Sequence, residues 1–350
     1  MKAWEKNIRK VTPYVPGEQP KKEKMIKLNT NENPYPPSPM VEAAKSRITD
    51  LRLYPDSNVT PLVNAIAKYH KVAPEQVFVG VGSDDVLAMA FMTFFNSDKP
   101  ILFPDITYSF YDVWAELYRI PYIQLPLDEA FHIVKEDYYQ ENGGVVIANP
   151  NAPTGIGVGV DFIEDIVSHN QESVVIVDEA YVDFGGETSL PLLEKYENLL
   201  VVRTFSKSRS LAGMRIGYCV GNPSIIQSLN DVKQSFNSYT MNQAAITMGV
   251  ESIMDDAYFV EHVNKIMKTR EWFCKEMKEL GFTFGESSTN FIFATHKSAK
   301  AKELFEAAKA QDIYVRYFNK PRIDNYLRIT IGTDEEMKTL VEFFKAYFQA

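Results

Sequence analysis

Val201-Val202-Arg203-Thr204-Phe205-Ser206-Lys207-Ser208-Arg209-Ser210-Leu211-Ala212-Gly213-Met214-Arg215-Ile216-Gly217 runs an apolar strand into a polar turn and out into a second apolar strand. Lys207 therefore sits in a loop at a strand end, where α/β proteins place their chemistry. Hydroxyls and two arginines surround it in sequence. An amine among cations becomes the neutral nucleophile more readily, and so attacks aldehydes. A lone lysine in a basic loop is ordinarily just a solvated charge. The segments upstream of it give it a different reading.

Outward from this turn, short apolar runs recur at 76–81, 100–103, 122–125, 144–148, 174–177, 199–203 and 216–220. They lack inside/outside alternation, and helical patterns at 59–70, 84–95 and 161–169 lie between some of them. Unalternating strands separated by helices predict a mostly parallel sheet buried on both faces. The texture changes after about Asn237. There 254–280 reads as one long amphipathic helix, and strands at 290–294 and 326–331 alternate with helices at 299–310 and 334–348. The expected architecture is α/β, with a large mostly parallel domain over 34–245. A smaller α/β domain is expected from 1–33 plus 246–350.

The chain has 350 residues, a length that suits two domains. Its net charge of −9 gives a nucleic-acid role no electrostatic support. Two distant cysteines, Cys219 and Cys274, make neither a disulfide framework nor a metal site. The first ten residues are charged and do not read as a secretion signal, and the longest apolar run, 86–95, is far too short to span a bilayer. The expectation is a cytoplasmic protein without bound metal, nucleic acid or membrane.

The strand ends carry a consistent set of groups. Val79-Gly80-Val81-Gly82-Ser83-Asp84-Asp85 is a strand, a glycine turn and a helix start, where backbone N–H groups can approach a phosphate. Tyr108, in Ile106–Tyr111, follows the next strand and can stack on a flat ring. Asn149-Pro150-Asn151-Ala152-Pro153-Thr154-Gly155 is a loop constrained by two prolines and a glycine, whose asparagines can reach a ligand hydroxyl. Val174-Val175-Ile176-Val177-Asp178-Glu179-Ala180-Tyr181 ends a buried strand on an acid. A buried carboxylate needs a partner, and a metal or a cationic ring nitrogen would serve. Arg328, inside the apolar run 326–331, is a buried cation that calls for an anion. The five histidines are scattered, and the reading gives none of them a role.

A phosphate cradle, a ring stacker, a hydroxyl donor, a buried acid, a lysine and an arginine follow one another in the order expected for pyridoxal phosphate. Here the sequence resembles the fold-type I aminotransferases over nearly its whole length, and it looks most like their histidinol-phosphate branch. Asn29–Tyr35, Leu53–Asp56, Gly82–Asp84, Asp178–Tyr181, Phe205–Lys207, Leu211–Arg215, Thr289–Phe291 and Tyr326–Thr330 carry the resemblance. It implies that Lys207 is the Schiff-base lysine and proton carrier, that Asp178 keeps the ring nitrogen protonated, and that Tyr181 hydrogen-bonds the ring oxygen. Tyr108 would stack on the ring. Gly82, Ser83, Asp84, Ser206 and Arg215 would hold the phosphate, with Tyr54 reaching in from the second subunit of a homodimer. Arg328 and Arg316 would meet the anionic end of the substrate beside Tyr14 and Asn290. The substrates would be a small amino donor and a keto acceptor.

One position departs from the family pattern. The asparagine that usually precedes the loop proline, and contacts the ring oxygen, is Ala152 here. Asn151, a water or Tyr181 alone are the candidates to take over that contact. Three rival readings stand beside the main one: an aromatic-amino-acid aminotransferase, a phospho-amino-acid decarboxylase and a non-catalytic sensor.

Overall fold

The computed structural model describes residues 2–22 and 24–349. A short strand, β1 (Ile26–Lys27), precedes helices α1 (Pro39–Ala44) and α2 (Thr60–His70). Strands and helices then alternate: β2 (Val77–Gly80), α3 (Ser83–Phe94), β3 (Ile101–Pro104), α4 (Tyr111–Tyr118), β4 (Tyr122–Leu125), β5 (Gly144–Ala148), α5 (Val160–His169), β6 (Val175–Asp178), β7 (Leu199–Thr204) and β8 (Gly217–Gly221). Strands β2 to β8 form one sheet in the order β2-β8-β7-β6-β5-β3-β4. It is parallel except at β8, which runs antiparallel to both β2 and β7. The turn that holds Lys207 joins β7 directly to its neighbour β8, so no crossover helix intervenes and the direction reverses.

Every residue of β2, β3, β5, β6 and β8 is buried, as the unalternating runs predict. On one face Phe78, Phe103, Val146, Ile176 and Val202 pack against Leu87 and Phe91 of α3 and Trp114 of α4. On the other, Val145, Ile147, Val175 and Val177 pack against Ile163, Ile166 and Val167 of α5. Burying each such side chain contributes about 1.5–3 kcal/mol, so the sheet is a rigid platform.

The remainder comprises α6 (Pro223–Phe236), α7 (Gln243–Met254), α8 (Asp256–Glu279), β9 (Phe282–Phe284), β10 (Phe291–His296), α9 (Ala301–Ala310), β11 (Ile313–Tyr314), β12 (Arg316–Tyr317), β13 (Leu327–Thr330) and α10 (Asp334–Gln349). Strands β12-β13-β10-β9 make a four-stranded antiparallel sheet, and β1 pairs in parallel with β11. Ile266, Phe273 and Met277 of α8 share a core with Leu304, Ile329, Leu340 and Phe344.

The helix expected over 254–280 is α8, Asp256–Glu279, one or two residues shorter at each end. Asp255 breaks the chain with φ −90° and ψ 67° and caps α8 by accepting from the Tyr258 N–H at 3.3 Å. The same residue follows the last residue of α7, Met254, so the two helices abut across a one-residue break. Among the described residues no helix is long and apolar enough to cross a membrane.

Candidate active site

The carboxyl ends of the parallel strands open on one side of the large sheet, and the segments that follow them converge there. Asp178 is the last residue of β6, in register with Ala148 of β5 and Val202 of β7. Lys207 lies three residues beyond β7, and Ser83 opens α3 after β2. These segments enclose a cavity of about 160 Å³, lined among others by Ser83, Asp84, Tyr108, Asp178, Tyr181, Ser206, Lys207 and Arg215.

At its base the Asp178 carboxylate is 5% exposed. One oxygen accepts from the Tyr111 hydroxyl at 2.9 Å and the other from the Ala180 N–H at 3.1 Å. Burial outweighs these two bonds and pushes the carboxyl up to about 6. Burial and the neighbouring carboxylate together raise the Tyr111 phenol well above its ordinary value, so it stays a donor. Among the described residues no cluster of acids, histidines or cysteines is arranged to hold a metal. A ligand that brings a positive charge to Asp178 would relieve its burial.

The opposite wall is built for an anion. Gly82 has φ +88° at the N-cap of the twelve-residue α3, and a Cβ there would strike the Arg215 guanidinium. A Cβ on Gly217 would strike the Ser83 amide nitrogen. Both glycines therefore keep the arginine and the helix N-terminus close together. Arg215 Nη2 lies 3.1 Å from Asp84, and its Nη1 lies 3.5 Å from the Ser206 hydroxyl. The second Asp84 oxygen accepts from the Tyr108 hydroxyl at 2.7 Å. With its carboxylate held in this way, Asp84 offers an anion its backbone N–H in the first turn of α3. The side chain itself would repel phosphate. Dipolar N–H groups, two serine hydroxyls and one guanidinium are a suitable donor set for a phosphate monoester.

Lys207 Nζ donates to the Thr30 carbonyl at 3.2 Å and lies 5.7 Å from the centroid of the Tyr181 ring. The arginines expected to crowd it are turned elsewhere, with the exception of Arg215. Arg203 pairs with Glu179 at 2.8 Å, and Arg209 reaches the Ser252 carbonyl at 2.5 Å while lying over Phe259. Local sequence puts these guanidiniums beside the lysine, but strand alternation and the turn point them into the protein.

A second cavity of about 150 Å³ shares Thr30, Tyr108, Tyr181 and Lys207 with the first and adds Tyr14, Arg316 and Arg328. Arg328 is enclosed, with Nη2 donating to the Asn29 carbonyl at 3.0 Å and Nε without a partner. Burial disfavours its charged form. The titratable groups acting on it most strongly are Tyr181, Arg316, Tyr14 and Tyr108, none of which is a carboxylate. The fold thus holds a cation ready for a ligand anion.

Four expected residues do not line either cavity: Gly82, which serves by letting Arg215 and α3 come close, and Asn151, Asn290 and Tyr54. Asn151 is buried and satisfied within its own loop: its amide donates to the Ile106 carbonyl at 2.9 Å and to Thr154 at 3.1 Å, and its oxygen accepts from Thr107 at 2.7 Å. Ala152 and Pro150 face the cavity in its place. Asn290 is fully buried and donates to the Asn31 carbonyl at 3.0 Å, so it supports the wall without forming it. Tyr54 is 81% exposed and stacks on Tyr239, away from this chain's own cavities. Conversely, Tyr111, Thr30 and Glu32 reach the site without having been singled out. Tyr111 lies in the quoted Ile106–Tyr111 segment, but its contact with Asp178 spans 67 residues and leaves no local signal.

A lysine, a buried acid and an anion cradle at the strand ends of such a sheet define a fold-type I aminotransferase. The chain belongs to the class I and II aminotransferase family, whose model matches residues 23–344. It is similar to the histidinol-phosphate aminotransferase of Lactococcus lactis, with 51% identity over 349 residues covering 99% of this chain and 97% of that protein. Its fold matches the histidinol-phosphate aminotransferase of Sinorhizobium meliloti solved in complex with pyridoxal-5'-phosphate, with a TM-score of 0.83, 21% identity and 93% and 92% of the two chains covered. It also matches the L-threonine-O-3-phosphate decarboxylase of Porphyromonas gingivalis, with a TM-score of 0.82, 19% identity and 93% and 100% covered.

Proposed function

We propose that this aminotransferase uses pyridoxal phosphate to exchange an amino group between L-histidinol phosphate and 2-oxoglutarate. The products are imidazole-acetol phosphate and L-glutamate, in the course of histidine biosynthesis. The observation that carries the reading is the pairing of two anion sites across one lysine. The Ser83–Arg215 cradle suits the cofactor phosphate, and the enclosed Arg328, with an unpartnered Nε, suits the anionic end of a substrate. The 51% identity with the Lactococcus enzyme over nearly the full length supports this substrate pair over an aromatic amino acid or a decarboxylation.

Pyridoxal phosphate, when bound, supplies an aldehyde that captures amines and a ring that accepts electrons. The remaining tasks fall to the chain. The Ser83 and Asp84 N–H groups, the Ser83 and Ser206 hydroxyls and Arg215 would hold the phosphate. Asp178 would face the ring nitrogen and keep a proton on it, since a carboxylate buried this deeply favours a cationic partner. Tyr108 would lie against the ring and Tyr181 would donate to its oxygen. Lys207 is the amine that would hold the aldehyde carbon, with loss of water; once the incoming amine displaces it, its freed Nζ would take up and return the proton of the substrate's amine-bearing carbon. Arg328, with Arg316 beside it, would accept either a phosphate ester or a carboxylate, because both are bidentate anions. Tyr14 lines the same cavity and would close it over the substrate. The enzyme would work as a cytoplasmic homodimer, with the exposed Tyr54 entering the partner's phosphate site. The two sheets would belong to two domains, 34–245 and 1–33 plus 246–350.

The purified protein should develop a visible absorbance band on incubation with pyridoxal phosphate, and borohydride should then fix the cofactor to Lys207. Turnover of histidinol phosphate with 2-oxoglutarate should exceed turnover of phenylalanine by at least about tenfold. Release of carbon dioxide without consumption of keto acid would count for the decarboxylase reading.

A further inference from the structure

Three consecutive residues each touch a different group of the site. The Asn29 carbonyl accepts from Arg328, the Thr30 carbonyl accepts from Lys207, and the Asn31 carboxamide donates to the Tyr181 hydroxyl at 2.8 Å. The segment is anchored from both sheets. Leu28 exchanges backbone hydrogen bonds with Tyr314 at 2.7 Å and Thr330 at 3.0 Å, and the Asn33 amide donates to the Lys207 and Ser208 carbonyls at 3.0 and 3.1 Å. Asn31 itself is 1% exposed and has φ +57°, a left-handed conformation that asparagine tolerates.

The direction of the hydrogen bond to Tyr181 follows from its neighbours. The Asn31 N–H donates to Thr330 Oγ1 at 3.1 Å, and the Thr330 hydroxyl donates back to Asn31 Oδ1 at 3.0 Å. Reversing the amide would leave the buried Thr330 hydroxyl hydrogen without an acceptor. Asn31 Nδ2 therefore faces Tyr181, and the phenol oxygen accepts from it. The phenol's own hydrogen is then free to point into the cavities that Tyr181 lines beside Lys207. The ring cannot swing freely, since it packs edge-on against Phe291 at 5.2 Å. Ala152, on the same cavity wall, has no polar group to share the task.

We propose that Asn31 is a positioning residue. It holds the Tyr181 hydroxyl as a hydrogen-bond donor toward the bound cofactor, and Thr330 keeps the Asn31 amide facing the right way. The assignment rests on the reading of Lys207 as the lysine that binds pyridoxal phosphate. It ties the phenol's proton to β13, the strand that also carries Arg328, through one buried asparagine.

The test is the pH midpoint of the bound cofactor's visible absorbance, read in wild type, N31A, Y181F and the double variant. N31A should move the midpoint in the same direction as Y181F and by less, about half a pH unit to one unit. In the Y181F background N31A should add nothing, because it acts through the phenol. T330V should reproduce the N31A shift and T330S should restore the wild-type midpoint. Neither Thr330 variant touches Tyr181, so this pair carries the comparison if N31A does not fold. An equal N31A shift in both backgrounds overturns the proposal, as does no shift in either or indistinguishable T330V and T330S midpoints. A wild type with no visible band at all would instead count against the reading of Lys207.

Discussion

Asp178 and Arg328 are both charges set in strands of this chain, the first buried and the second half-buried, yet the protein treats them differently. Asp178, on the large sheet, has both oxygens bonded by Tyr111 and the Ala180 N–H. Arg328, on the small sheet, has one nitrogen bonded to a carbonyl and Nε unpartnered. The difference matches the expected residence of their ligands. A cofactor that stays bound needs a carboxylate held in one orientation between turnovers. A substrate anion that comes and goes needs a guanidinium left partly unsatisfied, so that binding supplies what the fold withholds. Both arrangements cost stability, and both become favourable with the ligand in place.

The sharpest way to break this contrast is Asp178→Asn. If Asp178 has the role proposed for it at the cofactor's ring nitrogen, turnover should fall by about 10³-fold, in line with the removal of a preorganised electrostatic partner, while the protein still folds. The same variant tests the burial cost. The folded-state value of Asp178 is raised from 3.8 to about 6, so in the cofactor-free protein the fold favours the protonated acid. That contribution is present below about pH 4 and is lost as pH rises through about 6. Above pH 6 the ionised acid costs on the order of 3 kcal/mol, which D178N removes. The cofactor-free variant should therefore melt higher than wild type at pH 7.5, with the gap shrinking toward pH 4. Equal melting temperatures at both pH values would contradict the burial argument.

Arg328→Met should have the next largest effect. On the role proposed for Arg328 it would remove a charge-assisted bond to the substrate anion, worth about 1.5–3 kcal/mol, so kcat/KM should fall about 10- to 150-fold. The cofactor band and its affinity should stay at wild-type values, because Arg328 lines the second cavity. A lost cofactor band would place the arginine in the wrong half of the comparison. Asn151→Ala should have the smallest effect on chemistry. Three hydrogen bonds that shape the Asn149–Gly155 loop are lost, so stability should drop by about 1–3 kcal/mol in a denaturant melt. Cofactor affinity should change less than about threefold. A larger change would mean that Asn151 turns into the cavity once the cofactor arrives.

The sequence and the structure agree best where the signal is local. The seven strand runs, the glycine turn before Ser83 and the acid at the end of β6 all sit where periodicity and turn chemistry put them. Each is a statement about neighbours along the chain, and burial on both faces of a sheet leaves an unmistakable apolar run. The misreadings share a different cause. Arg209 and Asn151 stand next to site residues in sequence and point away from them in space. Asn31 lies inside a quoted motif, yet its partners are 150 and 299 residues distant.

By itself the sequence determined which elements form and which residue types reach the strand ends, because strand period, turn residues and apolar runs act over a few residues. Lysine at 207, acid at 178 and glycine at 82 follow from that level alone. The tertiary structure decided which side chains face the cavity, which charges are matched and which wait for a ligand, because those outcomes depend on contacts between segments far apart in the chain. A carboxylate satisfied by Tyr111, a guanidinium left open at Arg328 and a phenol aimed by Asn31 exist only once the two larger sheets and the segment 28–33 are in place.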